Sequence, residues 1–109
     1  MSDPAANASP NPWRGEASLL IANASHLLRP SFAVLVAAEE ELGPLLALVE
    51  RAAEGQLRLA EIAALFWHCL ARRDGLTREM VGDAVLEAGL AAATAPLRIL
   101  LRQIVQGAG

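Results

Sequence analysis

Apolar residues recur with a helical period along most of the chain, and capping residues divide that pattern into segments. Ser31 follows Pro30 and suits a helix N-cap. Phe32, Leu35, Val36 and Leu42 then mark one face of a helix that ends at Gly43. Pro44 suits the first turn of a second helix, with Leu45, Leu48, Val49 and Ala52 on one side and Gly55 closing it. A third helix is predicted from about Leu59 to Arg73, stopped by Asp74-Gly75. Leu59, Ile62, Phe66 and Cys69 recur along it, Leu65 and Leu70 lie beside them, and the polar stripe of Arg58, Glu61, His68 and Arg72 is narrow. A helix apolar nearly all round is usually buried by several neighbours, so this one is expected at the centre. Thr77 caps a fourth helix, with Met80, Val81, Ala84, Val85 and Ala88 on one face and Glu79, Asp83 and Glu87 opposite as an acidic solvent face. Gly89 breaks it. The last helix runs roughly from Leu90 to Val105 with Leu97, Leu101 and Ile104 inward. It is kinked or restarted at Pro96, which lacks an N–H and clashes one turn back.

The segment before Ser31 follows another pattern. Between Glu16 and Ala22, Ala17, Leu19 and Ile21 alternate with Glu16, Ser18 and Leu20. Asn23-Ala24-Ser25 is a turn-type cluster, and His26 to Arg29 can return as a second strand before Pro30. A short helix over Glu16 to Ala24 competes, because Ala and Leu favour helix. The fold class expected is mainly α, with an N-terminal β-hairpin packed on a small bundle of four to five helices. Residues 1–12 carry Pro4, Pro10 and Pro12 among Ala, Asn and Ser, and read as a disordered N-terminal tail. Residues 13–106 read as a single α-rich domain. The expected core includes Phe32, Leu35, Ile62, Phe66, Cys69, Val85, Leu97 and Leu101.

Composition adds two constraints. Of the 109 residues 54% are hydrophobic, and mean hydropathy is +0.36. A domain this small has limited interior, so this points either to apolar surface covered by a partner or a second copy, or to an Ala-rich bundle tolerating exposure. Net charge is −3, which disfavours nucleic acid, since phosphate neutralisation needs a basic surface. No apolar run approaches the ~20 residues of a membrane span, and no signal peptide is visible at the N-terminus, so the expected compartment is the cytoplasm. The single cysteine, Cys69, reads as a small buried hydrophobe.

Candidate chemistry is sparse. His68 and Cys69 are adjacent, and adjacent helical residues diverge by about 100°, so they cannot grip one metal or form a nucleophile–base pair. His68 is expected at a solvent edge beside Arg72. Glu39, Glu40 and Glu41 spread around their helix, which makes no acid–base pair. They sit at a helix C-terminus, where the dipole disfavours them by a few tenths of a kcal/mol each. Either they form a solvated charge run or they meet arginines of a partner. Trp13 and Arg14 lie at the edge of the tail, and Trp13 can anchor an interface or fold back on the hairpin. Trp67, mid-helix, reads as core. No phosphate-binding, dinucleotide-binding, serine-hydrolase or CxxC motif occurs. No enzyme activity, metal or cofactor is expected. The candidate partner-binding residues are Trp13, Arg14, Glu39, Glu40 and Glu41.

Asn11-Pro12-Trp13-Arg14-Gly15-Glu16, Leu28-Arg29-Pro30-Ser31-Phe32, Glu39-Glu40-Glu41-Leu42-Gly43 and Val85-Leu86-Glu87-Ala88-Gly89-Leu90 occur in this order. Together they resemble the small tail proteins of gene transfer agents, the phage-like particles of alphaproteobacteria. The resemblance covers about residues 11 to 105. Two departures stand out: the turn at Asn23-Ala24-Ser25, often Asp-Gly in the family, and Pro96 in a segment usually free of proline. Family members are labelled tail tube proteins, yet their genes lie between those for the tail tube and the tape measure, where long-tailed phages carry tail assembly chaperones. The resemblance therefore implies a non-enzymatic tail protein. It is either a tail assembly chaperone or adaptor for the tape measure or tail tube protein, or a structural component that stays in the particle tail. A helical transcriptional regulator is a weaker alternative, because a basic recognition helix is missing.

Overall fold

The computed structural model describes residues 16–106. The expectations for the tail at 1–12 and for Trp13 and Arg14 lie outside them. Among the described residues the order is β1 (Ala17–Ile21), β2 (Ala24–Leu28), α1 (Phe32–Leu42), α2 (Leu45–Ala53), α3 (Leu59–Cys69), α4 (Arg78–Ala88) and α5 (Leu90–Gln106). The architecture is mainly α, with one antiparallel hairpin ahead of five helices.

The hairpin wins over the competing short helix because strand alternation matches the burial. Ala17, Leu19 and Ile21 face the core, and Ser18 and Leu20 face out. The register runs from Ala17 opposite Leu28 to Ile21 opposite Ala24. The turn is therefore the pair Ala22-Asn23, one residue earlier than the cluster Asn23-Ala24-Ser25. Both residues take positive φ, 50° and 67°, as a type I′ turn requires. Asn accepts this conformation readily, whereas Ala pays a Cβ clash of about 1–2 kcal/mol. Ala22→Asn is expected to raise stability by about 0.5–1 kcal/mol, or roughly 2–8 °C in Tm. Thermal unfolding followed by circular dichroism checks this, and an unchanged or lowered Tm would refute the turn assignment.

The hairpin is stitched to the end of α3. Leu28 forms a bridge with Leu70. Arg29 N–H donates to the Cys69 carbonyl at 2.6 Å, and Ala71 N–H donates to the Leu27 carbonyl at 2.9 Å. This pairing explains why α3 stops at Cys69 rather than continuing to Arg73. Leu70 turns to an extended conformation, φ −57° and ψ 124°; its N–H still closes the helix on Phe66, while the Cys69 carbonyl and the Ala71 N–H on either side bond the strand. Gly75, with φ 73°, turns the chain later. The helix ends at Ser31, Gly43, Thr77 and Gly89 fall where the capping residues place them. Ser31 and Thr77 accept from Val34 N–H and Met80 N–H. Gly43 and Gly89 take the positive φ that glycine permits. α5 does not restart at Pro96; it is one helix from Leu90 to Gln106.

The core is centred on α3, as expected. Leu65, Phe66 and Cys69 are fully buried with Ile21, Leu28, Leu48, Val81, Val85 and Leu100. Leu97 is buried, and Leu35, Ile62 and Leu101 are half-buried against that cluster. Phe32 overturns the expectation for it: it is 84% exposed. α1 packs on α3 through Ala38, fully buried, with Leu35 and Leu42 beside it. The buried stripe is therefore rotated away from the largest side chain, and its one fully buried residue is a small one.

Candidate functional site

The three consecutive glutamates of α1 diverge, as helical geometry demands. Pro44, at the head of α2, has no side-chain oxygen to cap the helix. Glu39 reaches across the turn instead: its Oε2 accepts from Leu45 N–H at 3.1 Å. A carboxylate at this N-terminus is favoured by the helix dipole, which offsets the cost of placing it at the end of α1. Glu41 points toward α3 and α4. Arg78 donates to both of its oxygens at 2.6 Å, and His68 Nε2–H donates to Oε1 at 2.9 Å. His68 is thus buried beneath α1 rather than at a solvent edge with Arg72. α1 packs over that side of α3 and brings an acceptor with it. Glu40 is left exposed.

Around this clamp, Arg73 donates to the carbonyls of Trp67 and His68 at 3.2 and 3.1 Å. It thereby adds a donor to carbonyls in the last turn of α3, where intrahelical donors run out. Its guanidinium lies 5.0 Å from the Trp67 ring centre, and that of Arg78 lies 5.9 Å away. Trp67 is half-buried against the core and forms a cationic shelf with them. A second bidentate clamp joins α2 to α3: Arg51 donates to Glu61 at 2.8 and 2.6 Å, and Glu61 also accepts from Arg58 N–H at 2.9 Å. In the hairpin, Arg29 Nε donates to the buried Glu16 at 3.0 Å.

These contacts shape the response to acid. Hydrogen bonds first from Arg78 and then from His68 hold Glu41 down at about 2, and those from Arg51 and then Arg58 hold Glu61 at about 2, against an ordinary 4.5. Both carboxyls have folded values below their unfolded ones. Their contribution is complete above about pH 4.5 and is lost as pH falls toward 2. Glu61 carries more of it, since its side chain is 17% exposed against 37% for Glu41 and is less screened by water. Between those pH limits the native protein is expected to take up up to about two more protons on unfolding than a Glu41→Gln/Glu61→Gln variant. Equal acid slopes for the two proteins would contradict the clamps. Burial pushes the Cys69 thiol up to about 12, so it is not nucleophilic at neutral pH. Among the described residues no three metal-ligating side chains converge.

What the described surface offers is a helix face. Phe32, Val36 and Glu40 follow one another at four-residue spacing on the outer side of α1, with Phe32 84% and Val36 38% exposed. Below Phe32 the face continues into a shallow depression of about 380 Å³ lined by Val36, Glu39, Glu40, Gly43 and Pro44. Apolar side chains next to free acidic charge suit an amphipathic helix with basic flanks. The apolar stripe Phe32, Leu35, Val36 and Leu42 points to a core position for Phe32. The signal that could have exposed it is the alternative stripe Leu35, Ala38, Leu42, which holds the helical period equally well.

A family model described as "Phage tail tube protein, GTA-gp10" matches residues 14–107. The chain belongs to this family. It is a tail-associated protein of phages or gene transfer agents, as the motifs implied. No curated protein and no solved structure matched the chain. In this GTA-gp10 chain the motif residues carry structural tasks. Glu16 and Arg29 pair across the hairpin, Pro30 is buried, and Glu41 joins three helices. Gly43 and Gly89 supply the left-handed ends of α1 and α4. No helix among the described residues is long and apolar enough to cross a membrane by itself.

Proposed function

We propose that this GTA-gp10 protein is a non-enzymatic tail assembly chaperone or adaptor that binds the tape measure or tail tube protein transiently in the cytoplasm. The observation that carries this reading is the outer face of α1. Phe32 is almost fully exposed on a domain that buries its other phenylalanine completely. Burying one such ring is worth about 1.5–3 kcal/mol, and Glu40, two turns along the same face, can steer a basic helical partner. Trp13 and Arg14 are proposed to extend the same contact; Glu39 and Glu41 act through it by fixing α1 against α2, α3 and α4. A helical surface of this kind suits a long helical partner such as a tape measure. The sheet argues in the same direction. Tube walls are normally closed by extended sheets running from subunit to subunit, and the described residues hold a single two-stranded sheet.

The second reading is a structural component of the tail tube, which the family description favours. Removing the gene tests the shared part of both. Filled heads without tails are expected, and normal gene-transferring particles would overturn the chaperone and the tube component alike.

A further inference from the structure

Two helix faces of opposite charge remain unused by any contact described above. α2 and α5 enclose a groove of about 520 Å³ whose walls include Val49, Ala52, Leu97 and Leu101. Arg98 and Arg102 also line it, one helical turn apart on α5. Both are exposed, and neither is paired with a carboxylate among the described residues. α4 presents the counterpart. Glu79, Asp83 and Glu87 are exposed at one-turn spacing, and none is ion-paired among the described residues. Leu86, 60% exposed, lies beside them.

We propose that a second copy of this chain seats its α4 in the α2/α5 groove, so that copies join head to tail. Asp83 and Glu87 are four residues apart, as are Arg98 and Arg102, so each pair spans about 6 Å along its helix. The two carboxylates can meet the two guanidiniums in one register, with Leu86 against the apolar wall. The acidic residues lie on α4, no residue of which lines the α2/α5 groove, so donor and acceptor faces do not coincide on one copy. Each copy therefore gives one face and receives another. Such a heterologous contact closes into a ring or continues as an open stack, depending on the rotation it imposes. The inference is independent of whether the protein leaves the particle, since a chaperone sheath and a tube ring both use repeated copies.

Charge swapping tests it on the full chain. Wild type is expected to show concentration-dependent association by sedimentation velocity, weakened by at least about tenfold as salt rises. Arg98→Glu/Arg102→Glu and Asp83→Arg/Glu87→Arg should each be folded by circular dichroism and monomeric alone, because each then carries like charges on both faces. Mixing the two variants, or combining all four substitutions in one chain, should restore association. A monomeric wild type overturns the proposal, including one that binds an acidic helical peptide in the groove. Association unchanged in either paired variant, or absent from the mixture, also overturns it.

Discussion

Phe66→Ala is expected to destabilise the domain by about 3–5 kcal/mol. Phe66 is fully buried at the middle of α3, the helix that packs against both α1 and α4 and whose end is stitched to the hairpin. Truncation removes the transfer free energy of the ring. It also leaves a cavity among Leu, Val and Ala side chains already fixed by neighbouring helices, where little collapse is available. Small domains are held by only about 5–15 kcal/mol in total, so Tm should fall by roughly 12–40 °C. A variant melting within a degree or two of wild type would show that α3 is not the centre of the core.

Phe32→Asp is expected to do the opposite: leave the fold intact and abolish assembly. At 84% exposure the ring contributes little to the domain, so stability should stay within about 0.5 kcal/mol of wild type. An acidic residue near the start of α1 is even favoured by the helix dipole. A partner that buries this ring would instead meet an unpaired carboxylate, losing the apolar contact and paying desolvation. In a strain lacking the gene, complementation with Phe32→Asp should reduce tailed particles at least about tenfold. Full tail yield from a soluble Phe32→Asp protein would remove α1 as the contact face.

The mismatches between sequence and structure have a common physical origin. Ser31, Gly43, Thr77 and Gly89 were readable because capping is local: a side-chain oxygen or a permitted φ is a property of one residue. The end of α3 was not, because Leu70 leaves the helix to pair with Leu28, 42 positions earlier in the sequence. Nor was the orientation of α1. A stripe through Phe32 and Val36 and one through Leu35, Ala38 and Leu42 have the same helical period, and only the approach of α3 selects between them. The glutamate run shows the same limit. Its unfavourable position at a helix C-terminus signalled a purpose, but the partners of Glu41 are 27 and 37 residues away in the chain. The family motifs were legible from the start, while the structural tasks of Glu16, Arg29 and Glu41 became visible only with their partners in place.

The claim that this GTA-gp10 chain acts during assembly and then departs is tested most directly by its copy number in purified mature particles. Quantitative mass spectrometry against the tail tube protein should find it absent from finished tails while it is present in cells assembling them. A fixed, ring-like ratio to the tube protein in mature tails would contradict the account and establish a structural tail component.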